Sequence, residues 1–266
     1  MQDRPIGVFD SGFGGLTVAR ALIDLLPGED LVYVGDTGRY PYGPRPLGQV
    51  QEFAYQIARY LVEQERTKMV VVACNTASAA ALDLLRSRLD VPVVGVIDPG
   101  VRAVLRATRN GRVGVIGTVG TIASGAYQRS VATSRTEVEL WCAACPGFVE
   151  FVERGETDSE QVHVLAERLL APLVADRVDA LLLGCTHYPF LARTISDVMG
   201  RNVVLVSSAD ETAFEIRSLL TSNGLGKRTR EKGLHRFLSS GDVGWFAEIG
   251  RRLLGPELED VEPLCW

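Results

Sequence analysis

The chain lacks what would tie it to a metal, a membrane or a nucleic acid. It holds three histidines and five cysteines. One close pair, Cys142-Ala143-Ala144-Cys145, has the interval of a zinc or redox motif but no second pair beside it, so no metal site is expected. Positive charge is scarce: 28 Lys and Arg stand against 33 Asp and Glu, whereas non-specific phosphate binding needs clustered cations. The one basic run, Lys227-Arg228-Thr229-Arg230-Glu231-Lys232, reads as a solvated loop. No direct nucleic-acid contact is therefore expected. No apolar stretch approaches the ~18 residues of a membrane-spanning helix. Met1-Gln2-Asp3-Arg4-Pro5 has neither the basic nor the apolar region of a secretion signal. A cytoplasmic chain with reduced thiols and no membrane association is the expectation.

What is present is an ordinary globular composition, 46% hydrophobic and 23% charged, with no stretch that reads as a free tether. Short apolar runs, Ile6 to Phe9, Leu31 to Val34, Met69 to Val72 and Val91 to Ile97, alternate with longer stretches of helical period. Leu47, Val50, Phe53, Ala54, Ile57, Tyr60 and Leu61 recur at three and four residues and mark one helix face. This is βαβα grammar, which predicts mostly parallel sheets covered on both faces. The pattern restarts after Gly111: Arg112-Val113-Gly114-Val115-Ile116-Gly117-Thr118 echoes Pro5-Ile6-Gly7-Val8-Phe9-Asp10-Ser11. A unit of about 110 residues thus occurs twice. Two similar three-layer α/β domains follow, related by an approximate two-fold, with the site in the cleft between them. After Val203 to Val206 too little chain remains for a third domain. Its segments, a helix over Asp210 to Leu220, a strand over Leu234 to Leu238 and a helix over Trp245 to Leu254, are expected to return to the first. The domains are accordingly 1–97 plus 210–266, and 98–209.

Two cysteines carry the chemistry. Met69-Val70-Val71-Val72-Ala73-Cys74-Asn75-Thr76 and Ala180-Leu181-Leu182-Leu183-Gly184-Cys185-Thr186-His187 each place a thiol where an apolar strand ends and a turn begins. That is the edge at which α/β sheets open into a ligand crevice, and a thiol beside a helix N-terminus there is reactive. A single such cysteine is ordinarily a small buried hydrophobe; two with matching polar followers read as a paired proton donor and acceptor. Asn75, Thr76 and Thr186 would fix a carboxylate, and His187 adds an imidazole.

Two further turns follow strands. Asp10-Ser11-Gly12-Phe13-Gly14-Gly15-Leu16-Thr17 stands where a dinucleotide fingerprint would, with Asp36 at the distance of a ribose-binding acid. Yet Thr17 replaces the third glycine, and Asp10 would repel a pyrophosphate. Ser11 and the N–H groups of Gly12 to Gly15 suit a small carboxylate, and Asp10 an ammonium group; a purely structural turn is the remaining reading. Gly35 to Gly43 reads as a pocket cover, with the Tyr42 phenol and the Gly43 N–H as lining groups, or as a plain crossover. Glu150, in Pro146-Gly147-Phe148-Val149-Glu150, reads as a surface helix acid.

Taken in order, Asp10-Ser11-Gly12-Phe13-Gly14-Gly15, Pro41-Tyr42-Gly43, Cys74-Asn75-Thr76-Ala77-Ser78, Gly117-Thr118 through Thr121, and Gly184-Cys185-Thr186-His187-Tyr188-Pro189 closely resemble the bacterial glutamate racemase family, within the wider aspartate/glutamate racemase group. The resemblance implies two α/β domains with the site between them, no pyridoxal phosphate or other cofactor, no metal, and supply of D-glutamate to peptidoglycan. By position it implies catalytic roles for Cys74, Cys185, Asp10 and His187. It implies a substrate-contacting set of Asp10, Ser11, Pro41, Tyr42, Gly43, Asn75, Thr76, Thr118, Thr121, Thr186 and His187, with Glu150 as an auxiliary acid. Homodimers are usual in the family. Some members are reported to bind DNA gyrase, although no residue here marks such a surface. One departure is Asp98 before Pro99, where the family more often has Glu.

Two thiols answer the demand of racemisation. One group must take the α-proton from one face while another delivers a proton to the other, and cysteine can serve in either role. The expected reaction is cofactor-independent interconversion of L- and D-glutamate. An aspartate or hydantoin racemase, a nucleotide-binding module built on Gly12 to Gly15, and a regulatory interaction protein remain as alternatives.

Overall fold

The computed structural model describes residues 2–229 and 231–266. Met1, and Arg230 of the basic run, lie outside them. Strands β1 (Ile6–Asp10), β2 (Leu31–Gly35), β3 (Met69–Val72) and β4 (Val93–Gly95) alternate with helices α1 (Leu16–Leu25), α2 (Leu47–Glu63), α3 (Asn75–Arg88) and α4 (Ile97–Ala107). The chain continues through β5 (Arg112–Gly117), α5 (Val119–Ala123), α6 (Ala126–Thr133), β6 (Glu139–Ala144), α7 (Phe148–Glu153), α8 (Glu160–Ala175), β7 (Ala180–Gly184), α9 (Ala192–Met199) and β8 (Val204–Val206). It closes with α10 (Ala209–Ser222), β9 (His235–Ser239), α11 (Val243–Leu254) and β10 (Val261–Pro263).

The strands form two parallel sheets, six in the order β10-β9-β2-β1-β3-β4 and four in the order β6-β5-β7-β8. The run β2-β1-β3-β4 of the first and the whole of the second share one plan, in which the first strand lies between the second and the third. Each sheet therefore reverses its winding beside its first strand, between β1 and β3 and between β5 and β7. Such switch points open a crevice beyond the strands' carboxyl ends. The registers bring the paired ends level, Phe9 beside Val72 and Gly117 beside Gly184.

The near-continuous apolar strands reflect burial on both faces. Ile6, Val8, Leu31, Tyr33, Met69 and Val71 face a layer of α1, α10 and α11. Phe9, Val32, Val34, Val70 and Val72 face α2 and α3. In the second sheet Ile116, Leu181 and Leu183 meet α8 and α9, while Val113, Val115, Ala180 and Leu182 meet α4 and α6. The returning segment places α10 on α1 and adds β9 and β10 at the edge beyond β2.

One local expectation is revised. The run from Val91 to Ile97 is a strand only over Val93–Gly95, because Ile97 already opens α4, whose first turn accommodates Pro99. Cys142 lies inside β6. Strand β10, with an exposed Glu262 and Pro263, has no apolar run to reveal it. No described helix is long and apolar enough to cross a membrane.

Candidate active site

The two switch points face one another across a single cavity of about 110 Å³. The first sheet contributes Ser11, Tyr42, Gly43, Cys74, Asn75 and Thr76; the second contributes Thr118, Cys145, Cys185, Thr186 and His187. Cys74 follows β3 as the N-cap of α3, its sulfur accepting the Ala77 N–H at 3.4 Å and lying 3.8 Å from Ser11 Oγ. Cys185 follows β7, its sulfur 3.8 Å from His187 Nδ1. Both thiols are buried.

Other contacts cross between the sheets. Thr186 Oγ1 donates to Asp10 Oδ2 at 3.3 Å. The hydroxyls of Thr76, Thr118 and Thr121 stand 2.9–3.1 Å apart in a ring. Asn75 Nδ2 donates to the Tyr127 hydroxyl at 2.8 Å, leaving its buried carbonyl oxygen without a partner among the described residues. A cavity lined by orphaned acceptors and mutually bonded hydroxyls has groups to offer a small polar ligand.

Burial dominates the electrostatics. It lifts Cys74 to about 12, with the Asp10 charge adding to the effect. It lifts Cys185 further, where the charges of Cys74 and Asp10 again oppose ionisation. Asp10 itself is raised to about 6, the N–H groups of Gly12 and Gly15 restraining the rise. Burial lowers His187 to about 4, so at neutral pH the imidazole is uncharged beside a protonated thiol. The arrangement holds two thiols in reserve, with an ionised carboxylate near one and a neutral imidazole near the other.

The glycine turn does not cradle a nucleotide. Gly12 N donates to Asp10 Oδ1 at 2.8 Å. A Cβ on Gly14 would lie 2.3 Å from Thr186 Oγ1 and 2.7 Å from His187 Nδ1. The turn is filled from the opposite sheet, and the N–H groups of Gly12 and Gly15 serve Asp10 rather than an incoming carboxylate. Asp36 receives four donors, from Tyr42, Arg39, Ser240 and Trp266, and so has no vacancy for a ribose. Among the described residues no group of His, Cys, Asp and Glu is placed to hold a metal.

The expected residues Ser11, Pro41, Tyr42, Gly43, Cys74, Asn75, Thr76, Thr118, Cys185, Thr186 and His187 all line the cavity. Asp10 and Thr121 stand directly behind it, bonded to lining residues. The Tyr42 hydroxyl is turned to Asp36, so this residue offers the cavity its ring and backbone rather than its phenol. Glu150 lies exposed on the first turn of α7 at the cavity's rim. One turn on is an acid that sequence reading missed: Glu153, whose Oε1 lies 3.8 Å from His187 Nε2 and whose carboxyl burial raises to about 7. The signal was a pair of acids three residues apart on one short helix, which sequence alone does not rank. Cys145 and Tyr40, both at the cavity wall, were also missed.

Paired parallel α/β halves that each bring a thiol to one cavity fit an isomerase-type site. Residues 6–215 match the model of the Asp/Glu/hydantoin racemase family, and the chain belongs to that family. It is 54% identical over 97% of its length to a glutamate racemase of Mycobacterium leprae, covering 95% of that protein. Among solved structures it resembles a glutamate racemase isoform from Bacillus anthracis, with a TM-score of 0.93, 41% identity and coverage of 100% of this chain and 98% of that one. A Francisella tularensis glutamate racemase in complex with D-glutamate gives a TM-score of 0.92 at 34% identity, covering 99% and 98% of the two chains.

Proposed function

We propose that the protein interconverts L- and D-glutamate by proton transfer between Cys74 and Cys185, without a cofactor. The observation that carries this reading is that each sheet delivers one thiol, at equivalent switch points, to the same cavity. The D-glutamate bound by the Francisella relative supports the choice of substrate. Residues 1–97 with 210–266 and residues 98–209 would be the two units that enclose it.

In each direction one sulfur is a thiolate and the other a thiol. The Cα–H bond breaks as an S–H bond forms on one face. The second thiol then gives its proton to the opposite face of the carbanion, and the two sulfurs exchange roles. The substrate's ammonium group offsets the cost of a buried thiolate, since an adjacent positive charge lowers a thiol's pKa. Asp10 accepts from that ammonium or from Cys74; His187 serves Cys185, with Glu153 behind it. Asn75 and the threonine hydroxyls stabilise the carboxylate into which the carbanion's charge spreads.

The product would supply peptidoglycan synthesis in the cytoplasm, and the enzyme would act as a homodimer. The test is to follow each enantiomer of glutamate and of aspartate by circular dichroism in deuterium oxide with no added cofactor. Loss of optical activity with glutamate, and deuterium at its α-carbon, is the expected result. Preference for aspartate, or dependence on an added cofactor, would overturn the proposal.

A further inference from the structure

A buried carboxylate is stable only when its lone pairs are taken up, and Asp36 is wholly buried. Its two oxygens face different parts of the chain. Oδ2 accepts from the Tyr42 hydroxyl and from Arg39 Nε at 2.7 Å, both within the loop that lines the cavity. Oδ1 accepts from Ser240 Oγ at 2.6 Å and from the indole Nε1 of Trp266 at 2.9 Å. Trp266 reaches this point because Leu264 is buried and its N–H donates to Ser239 O at 2.9 Å, at the end of β9.

The indole holds the loop in a second way. The Arg39 guanidinium lies between two rings, 4.3 Å from the centroid of Phe53 and 4.4 Å from that of Trp266, an arrangement that is attractive and rigid. Tyr42 rests on the same Phe53 at 5.7 Å. On the other side of Tyr42 the loop is set against the second sheet: Gly43 O accepts the Gly120 N–H at 3.1 Å, and a Cβ on Gly43 would stand 3.0 Å from Thr118 Cβ. A continuous set of contacts thus runs from Trp266 through Asp36 to Tyr42 and Gly43, and from there to the hydroxyl ring at Thr118.

We propose that Trp266 is a positioning residue for substrate binding, acting through Asp36 to place the Tyr42–Gly43 wall of the cavity. The proposal rests on the reading of that cavity as the glutamate site. Neither Tyr42 nor Gly43 brings a proton-transferring group to the reacting carbon, so the wall holds ground state and transition state alike. Loosening it raises KM and leaves kcat nearly unchanged.

The test compares Trp266→Phe, which keeps a ring over Arg39 but loses the N–H, with Trp266→Ala, which loses both. KM for glutamate is expected to rise about 3- to 10-fold in the first and about 10-fold or more in the second, on the scale of one charge-assisted hydrogen bond, with kcat within about twofold. A merely structural role predicts the reverse: less active enzyme, hence lower apparent kcat, at parental KM. That result would overturn the proposal. A double-mutant cycle with Tyr42→Phe adds a second readout, since W266F should change KM little once the Tyr42 hydroxyl is gone; full additivity would also overturn it. Parent protein that fails to racemise glutamate refutes the functional reading, whereas an active parent with Trp266 variants of parental KM refutes this inference alone.

Discussion

Thr186 donates its hydroxyl to Asp10 at 3.3 Å, so the acid beside one thiol is held by the residue that follows the other. The charge of Asp10 opposes ionisation of both Cys74 and Cys185. Removal of this carboxylate therefore bears on both halves of the site.

Asp10 titrates near 6 when folded against 3.8 in its unperturbed state. Between those values the native protein keeps a proton that the unfolded chain has lost, so the Asp10 contribution to stability falls as pH rises from about 4 to about 6. His187, lowered from 6.5 to about 4, works in the opposite sense. There the unfolded chain takes up the proton first, and stability falls as pH drops through the same window. The two largely offset one another in the parent. Asp10→Asn keeps an oxygen to accept the Gly12 N–H, and its amide can donate to the Thr186 hydroxyl, while the titration is abolished. Between pH 4 and pH 7 it should gain about 2 kcal/mol relative to the parent, most of the full shift at 1.36 kcal/mol per pKa unit, since the unfolded carboxyl is already partly ionised at pH 4. Urea unfolding at the two pH values measures this; a difference that does not change with pH would show that Asp10 does not titrate in this range.

The two enantiomers have equal free energy, so kcat/KM must be the same in both directions for any variant. Handedness appears only in half-reactions. Cys74→Ser and Cys185→Ser should each lose racemisation by at least about 10³-fold, within the range for removal of a positioned acid or base. Each should still catalyse α-proton exchange, or elimination from 3-chloroglutamate, with one enantiomer, and the favoured enantiomer should differ between the two. If both variants favoured the same hand, the sulfurs would not lie on opposite faces.

The two cysteine corners were legible in sequence because each ends an apolar run, a local signal, and because the pattern repeats. Strand alternation between the core layers was legible for the same reason. What escaped was set by tertiary distance or by helix phase. Asp36 and Trp266 are 230 residues apart, and nothing local announces their pairing. Glu150 and Glu153 share one short helix, and only the position of His187, beside Glu153, distinguishes them. The glycine turn looked open to a ligand because sequence does not show that Thr186 and His187 fill it from the other sheet.

Glu153 and Glu150 can be separated directly. Glu153→Gln keeps a similar shape beside His187 Nε2 but removes the charge and the titration near 7. It should lower kcat by about 10-fold to 10²-fold and flatten the part of the pH–rate profile that this carboxyl sets. The half-reaction in which Cys185 is the base should suffer most. Glu150→Gln, at the exposed rim, should stay within about twofold of the parent. Reversal of the two outcomes would assign the auxiliary role to Glu150.

Gly14 offers a test of how closely the halves must meet. A methyl group there would stand 2.3 Å from Thr186 Oγ1 and 2.7 Å from His187 Nδ1, closer than atoms approach, so one or both side chains must move. Gly14→Ala should cost about 1–3 kcal/mol of stability, the usual range for overpacking. Its loss of kcat should be larger than that destabilisation explains, about 10²-fold, because His187 is displaced from Cys185. Gly48→Ala is the matched control. It lies in the first turn of α2 with nothing within 4 Å of its added Cβ, and alanine is the better helix former, so stability should hold or rise slightly. Racemisation by G14A at the parental rate would mean that the two corners are free to part during turnover, and that the contact between the glycine turn and the Thr186–His187 pair is not required by the chemistry.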